Sequence, residues 1–267
     1  MRTGKNINFS FMGMQPFVSG VNSTYPMTSA AINGSFMIIV KQSPWLRVIQ
    51  THQYVLVSLL ESDFRVLSSS VLNGGLIHAR HVLNLKVPAD PGELEAPAIT
   101  LQNYADSLEC TGEVVGMMTA ASMDSFRLYE ETVQGVEVVV LVTCGLNNAR
   151  CVGDHAEYRS MLTEPGLAGT INIIMLTSVA MSDAAKVEAV QMITEAKSAA
   201  LFEAGIVSPV SQRMATGTGT DAVAVVSRVS GQTVAYCGKH VLFGEVLGRL
   251  VFDAVTDSIA WYRQGST

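Results

Sequence analysis

The chain has 267 residues, 48% of them apolar and only 15% charged, and a formal net charge of −6. So much apolar material excludes disorder as the dominant state and allows a large core. The 17 basic residues form no Lys/Arg block, so no nucleic-acid partner is expected.

Residues 1–35 sustain neither helical nor strand periodicity, and Pro16, Gly20 and Pro26 break what there is. They read as a poorly specified N-terminal arm, leaving 36–267 as a single domain. Phe36–Val40 and Gln53–Leu60 read as strands joined through a turn at Ser43-Pro44, with Arg65–Ser69 as a third. The turn signal Asn73-Gly74-Gly75 precedes Leu76–Leu83, read as a short helix. Asp90-Pro91-Gly92 through Pro97 is linker-like. Beyond it, strands at Glu113–Ala120 and Val136–Thr143 flank Met123–Glu131, read as a helix. Ile171–Thr177 is so apolar that burial on both faces is expected.

Two longer helices follow. Ser182 is a good N-cap with Asp183 in the first turn, and Gly205 stands where a C′ glycine ends a helix. Val187, Val190, Ile193, Ala196 and Ala200 trace its expected apolar stripe. Strands at Ala222–Ser227 and Thr233–Cys237 lie either side of Ser230-Gly231. The last helix runs from Val241 to Trp261 and buries Phe243, Leu247, Leu250 and Ala254. The pattern predicts a mixed α and β fold, with a central mixed sheet or sheets covered by helices. Periodicity alone does not choose α+β over α/β.

No run approaches the ~20 apolar residues of a membrane span. The longest strictly aliphatic stretch is Val138–Val142. Arg2 and Lys5 are followed by no clean h-region or small-x-small cleavage site. Cys110, Cys144, Cys151 and Cys237 have no CxxC spacing and read as reduced thiols. A cytoplasmic protein with no membrane partner is expected.

Three polar clusters interrupt these apolar elements. Thr143-Cys144-Gly145-Leu146-Asn147-Asn148-Ala149-Arg150 ends a buried strand, where α/β proteins place ligands. Ala215-Thr216-Gly217-Thr218-Gly219-Thr220-Asp221 alternates Gly and Thr, so its backbone can approach a ligand while hydroxyls and N–H groups face it. It lacks the GK[ST] ending of a phosphate loop and runs into a strand rather than a helix. Gly238-Lys239-His240 with Glu245 opens the last helix, where the dipole disfavours cations. His78 and His81 have helical spacing but no third ligand nearby, and no G-x-S-x-G elbow occurs.

Taken in order, these clusters resemble the adenosylcobinamide amidohydrolase family of corrinoid salvage. The resemblance includes Leu67-Ser68-Ser69-Ser70-Val71-Leu72-Asn73-Gly74-Gly75, Asn84 with Val87, and Gly116-Met117-Met118-Thr119-Ala120-Ala121. It continues through Thr143–Asp154, Gly169-Thr170-Ile171-Asn172-Ile173-Ile174, Ser208-Pro209-Val210 and Ala215–Ala222. It closes on Gly238-Lys239-His240 with Gly244-Glu245. It implies hydrolysis of the amide that joins the aminopropanol arm to the corrin of adenosylcobinamide. It also implies a corrinoid substrate and no required cofactor, and leaves homo-oligomerisation open.

Amide hydrolysis needs an activated nucleophile, donors for the oxyanion and an acid for the leaving amine. The simplest scheme has Asp221 or Glu245 as general base toward water. Gly217–Gly219 N–H groups or Asn147 then hold the oxyanion, and His240 or Lys239 protonates the amine. A second scheme makes Thr218 or Thr220 a covalent nucleophile. A third places a divalent metal on Asp221, His240 and Glu245. Asn73, Gly74, Gly75, Asn84, Asn147, Asn148 and Arg150 suit recognition of the amide-rimmed corrin. Two rivals remain, a non-catalytic corrinoid carrier using the same cleft and a phosphate-handling enzyme using the Gly-Thr loop.

Overall fold

The computed structural model describes residues 29–32, 35–61, 63–88, 95–157, 161 and 170–264. Along the chain run β1 (Ser29–Ile32), β2 (Ser35–Gln42), β3 (Leu46–Gln50), β4 (Tyr54–Leu59), β5 (Phe64–Ser68), β6 (Gly75–His78) and β7 (His81–Lys86). Helix α1 (Pro97–Ser107) leads to β8 (Val114–Thr119), β9 (Arg127–Val133), β10 (Val136–Cys144), β11 (Ala149–Arg150) and β12 (Ile171–Met181). Then come α2 (Asp183–Glu203), β13 (Gly217–Thr218), β14 (Ala222–Arg228), β15 (Thr233–Val234) and α3 (Leu242–Gln264).

Strand side chains alternate between faces, and the central strands of the two main sheets, β4, β7 and β8 in one and β10, β12 and β14 in the other, are largely buried on both faces. One sheet has the order β1-β2-β3-β4-β7-β8 and the other β6-β5-β14-β12-β10-β9, with β15 beside β12. Pairings are mostly antiparallel, but β7–β8, β12–β14 and β12–β15 are parallel. Between the sheets lie Val48, Val57, Val82 and Met117 from the first against Val66, Val139, Leu141, Ile174 and Val226 from the second. The outer face of the second sheet packs Val138, Val140, Ile173 and Met175 onto Ile193 and Leu201 of α2 and Leu247, Leu250 and Val251 of α3. On the far side, Leu83 and Leu85 pack under Leu101 and Ala105 of α1. The result is four layers: helix, sheet, sheet, helix pair. Each fully buried aliphatic side chain stabilises this stack by about 1.5–3 kcal/mol.

The mixed α and β expectation holds, with two main sheets and the small β11-β13 pair among the described residues. Several local expectations do not. Leu76–Leu83 is no helix: β6 pairs with β5 in one sheet and β7 with β4 in the other, so the chain crosses between sheets at Ala79-Arg80. Two short alternations offset by that crossing imitate a helical period. His78 is exposed while His81 Nδ1 meets Ser58 Oγ at 3.2 Å, and burial pulls the His81 imidazole below its usual value. Met123–Glu131 makes only one 3-10 turn before β9, which hairpins to β10 through Gln134 (φ 52°) and Gly135 (φ 79°). Two positive φ values are what a type I′ turn needs. Strand β3 and helix α1 had no expectation, although Pro97 stands where a proline suits a helix start. The linker expected from Asp90 lies outside the described residues up to 94. Ser29–Ile32, placed in the arm, pairs antiparallel with β2; the rest of residues 1–34 lies outside the described residues.

On α2 the cap and terminus are as expected: Ser182 Oγ accepts from Ala185 N at 3.0 Å, and Gly205 has φ 64°. The buried face is different. It carries Ala185, Lys186, Ala189, Met192, Ile193, Lys197, Ala200 and Leu201, while Val187 is exposed. Two lysines on that face break its apolar periodicity. On α3, Leu247, Leu250 and Ala254 are buried as expected and Phe243 is partly so.

The segment after β11 is tied to the approach to β13 by Asp154. Its side chain is only 4% exposed; it accepts from Ser208 Oγ at 2.5 Å, Cys151 N at 2.8 Å and Arg213 Nη2 at 3.2 Å. Donation by the Ser208 hydroxyl, reinforced by Cys151 N and Arg213, holds the Asp154 carboxyl far below the carboxylate range. A carboxylate depressed in the fold adds stability that is complete above its unfolded pKa, about 3.9, and is lost as pH falls toward the folded value. Asp154→Asn is therefore expected to unfold at lower temperature than the wild type at pH 7. Thermal denaturation at about pH 3 should show that gap narrowed; an equal gap at both pH values contradicts the clamp.

Candidate active site

The candidate site lies at one end of the second sheet. Cys144 at the end of β10 pairs with Ile171 at the start of β12, and Asn172 pairs with Ala222 at the start of β14. Three chain segments thus leave or enter the sheet side by side. Two of the sequence clusters meet there: β11 pairs antiparallel with β13, Ala149 opposite Thr218 and Arg150 opposite Gly217. Thr216 N donates to Arg150 O at 2.9 Å and Val152 N to Thr216 Oγ at 2.9 Å, stitching the loops further. A cavity of about 530 Å³ opens between them and α2. Its wall is formed by Arg150–Val152, by Thr194, Lys197 and Ser198, and by the whole stretch from Thr216 to Asp221.

Asp221 organises this wall. Its side chain is 12% exposed and that of Lys197 is 9%, and the two form an ion pair. Ile171 N donates to Asp221 Oδ1 at 3.0 Å and Thr218 N to Oδ2 at 3.1 Å; the Thr218 hydroxyl also donates to Oδ1. An ionised carboxylate offers about four lone-pair sites, and Lys197, Ile171 and Thr218 between them fill all of them. Gly217 is required by this packing: a Cβ there would stand 2.9 Å from Lys197 Nζ and press on Asp221 Oδ2.

Behind the wall is a buried polar chain. Thr170 Oγ donates to Thr220 O at 2.6 Å and lies 3.3 Å from Asn172 Oδ1. Asn172 Nδ2 donates to Asn84 Oδ1 at 2.8 Å and Met118 O at 2.9 Å, and Asn84 Nδ2 to Thr143 Oγ at 2.8 Å. A buried polar group without a partner is costly, so such a chain fixes its members' positions. Asn84, expected at the corrin rim, is 3% exposed and braces the loop from inside the sandwich.

The other expected site residues divide. Thr218, Thr220, Gly217, Gly219 and Arg150 line the cavity, with Arg150 ion-paired to Glu157. Asn148 Nδ2 lies 3.2 Å from where a Gly219 Cβ would be. Asn147 is exposed and accepts from the Tyr262 hydroxyl. Asn73, at φ 54°, spends its amide on Val114 O (2.9 Å) and Glu113 (3.3 Å). Gly74 and Gly75 complete that exposed turn. The third cluster stands apart. Lys239 and Glu245 line a separate cavity of about 310 Å³ with Met192, Glu195 and Ala196, on another face of α2. Lys239 pairs there with Glu195, and His240 is exposed. Among the described residues no three His, Cys, Asp or Glu side chains could share a metal ion, so Asp221, His240 and Glu245 do not form the suggested ligand set. Lys197 had no place in the sequence reading. Its signal was a lysine flanked at helical spacing by Ile193, Ala200 and Leu201.

Cys144, fully buried behind Asp221, has its thiol pushed far up by desolvation and by that carboxylate; Cys237 is raised to about 12 by desolvation and Glu188. Neither is a thiolate nucleophile near neutral pH.

Relatives and family agree with this assembly of motifs. An uncharacterised protein of Methanocaldococcus jannaschii is 32% identical over 161 residues, 55% of this chain and 63% of that protein, so the match spans less than two thirds of the relative's length. An adenosylcobinamide amidohydrolase of Methanosarcina mazei is 27% identical over 208 residues, covering 74% of this chain and 90% of that one. Among solved structures, a Burkholderia beta-aminopeptidase covers 78% of each chain at 10% identity and a TM-score of 0.38, too remote to carry an argument. The profile of the adenosylcobinamide amidohydrolase family matches residues 41–267, a span that holds every element of the site just described. The chain belongs to the adenosylcobinamide amidohydrolase family.

Proposed function

We propose that this protein hydrolyses the amide between the corrin and the aminopropanol arm of adenosylcobinamide, releasing adenosylcobyric acid and 1-amino-2-propanol. Such a reaction returns an incomplete corrinoid to cobalamin synthesis inside the cell. The observation that carries the reading is the chain Thr218 hydroxyl, Asp221 carboxylate, Lys197 ammonium on a cavity wall, in a member of this family.

The filled lone pairs of Asp221 favour the threonine scheme over the water scheme. A carboxylate acting as base toward water needs a vacant site for that water, and the bonds from Ile171, Lys197 and Thr218 leave none. The Thr218 hydroxyl already donates to it, which is the nucleophile–base contact covalent catalysis requires. Thr218 Oγ therefore attacks the amide carbon as its proton passes to Asp221. The C–N bond then breaks, the amine leaves with that proton, and an ester to Thr218 remains. Water adds to the ester, the C–O bond breaks, and a carboxylic acid and the free hydroxyl result. The net reaction consumes one water. Lys239 and Glu245 take no part in these steps, because their cavity is on another face of α2, and exposed His240 is not among the residues that line the Asp221 cavity.

Incubation with adenosylcobinamide should yield 1-amino-2-propanol. A carrier would return the substrate intact, and that result ends the catalytic reading. Thr218→Ala should remove on the order of 10³-fold or more of turnover, while Thr218→Ser keeps a substantial part and forms an ester detectable as added mass after rapid quench. Asp221→Asn should cost on the order of 10²–10⁴. Full turnover by Thr218→Ala would return the role to water.

Gly217→Ala is a separate expectation. The new methyl pushes on the ion pair from the adjacent strand, so turnover should fall while corrinoid binding, measured by spectral titration, changes little. Unchanged turnover would show that the ion pair has slack.

A further inference from the structure

Lys197 stands on the apolar face of α2 with its side chain 9% exposed, and it lines the cavity beside Gly217 and Asp221. An ammonium carries three N–H donors. One is used by Asp221; among the described residues the other two have no acceptor. Lys186, buried on the same helix, makes the contrast: its ammonium donates to Met181 O at 2.6 Å and Asp183 at 3.2 Å. Arg150, the other cation on the cavity wall, is paired with Glu157. Lys197 is thus a buried cation with donors left over at a cavity.

We infer that Lys197 is the oxyanion-holding group of this site and the group that retains the carboxylate product. The inference rests on the function proposed above. As Thr218 Oγ bonds to the carbonyl carbon, the C=O π pair moves onto oxygen, and a spare Lys197 N–H donates to that oxygen without giving up its proton. When the C–N bond breaks the pair returns to carbon and the charge is lost. The second addition, by water, restores it in the same place. The final product bears a carboxylate where the substrate had a neutral amide, and the same donors meet it. Such preorganised donors act on charge that exists only in the transition state, so they raise turnover more than binding.

The test compares wild type, Lys197→Met and Lys197→Arg on adenosylcobinamide, with folding checked by circular dichroism. Lys197→Met should lower kcat on the order of 10²–10³-fold with KM nearly unchanged, and Lys197→Arg should restore part of the loss. A second measurement uses only the wild type: inhibition by cobyric acid against the same corrinoid with that carboxylate converted to a primary amide. The carboxylate should bind about tenfold more tightly or better, as a charge-assisted hydrogen bond predicts. Lys197→Met retaining near-wild-type kcat, or equal inhibition by acid and amide, overturns the assignment; if Lys197→Met does not fold, the inhibitor comparison decides. Absence of turnover by the wild type overturns the functional reading itself, before any variant is compared.

Discussion

The site depends on one buried ion pair. Asp221 enters where the second sheet begins, and Lys197 reaches it from the middle of α2. Two charges withdrawn from water are costly unless hydrogen bonds satisfy what remains of them, and removing one partner of such a pair typically costs about 3–5 kcal/mol. For Asp221 the requirement is met in full by Ile171 N, Thr218 N and the Thr218 hydroxyl. The pair therefore locks three elements: the start of β12, the β13 loop and the helix between β12 and β14. A well-packed hydrophobic pair could stabilise the same spot as well. What it could not do is aim a hydroxyl and an ammonium at a cavity.

The two-sheet stack makes this placement rigid. The carboxylate is held at one end of a sheet whose inner face packs on the other sheet and whose outer face packs on α2 and α3. The Thr170–Asn172–Asn84 chain extends the bracing from the loop to β7 in the opposite sheet. Asp154 does the same from the surface side, joining the β11 and β13 approaches. Further out, Lys41 of β2 pairs with Glu130 of β9 and Glu137 of β10, and Trp45 Nε1 donates to Glu137 at 2.8 Å, tying the two sheets along their sides.

This arrangement separates residues that look equivalent in the sequence. Asparagine is an amide anywhere, yet Asn84 braces the interior, Asn73 closes a turn and Asn147 is engaged by Tyr262. The three polar clusters carry similar chemistry, yet two share a cavity and the third faces another. Lysine at position 197 belongs to no motif in the sequence; what sets it apart is that its helical neighbours Ile193, Ala200 and Leu201 are buried.

The sequence by itself determined what depends on neighbours along the chain. The Ser182 cap, the Gly205 terminus and the apolar β10, β12 and β14 strands were legible because their causes are local. So were the family and the Gly-Thr loop as a place of interest, since both are ordered strings of residues. Tertiary structure decided whatever rests on contacts between distant positions. Leu76–Leu83 divides into two strands because the chain crosses between sheets there, and Met123–Glu131 makes one 3-10 turn and then joins β9 because β10 offers its edge. Lys197 meets Asp221 across 24 residues, and Asn172 meets Asn84 across 88. No periodicity encodes such meetings, because they arise only when separate elements are packed against one another.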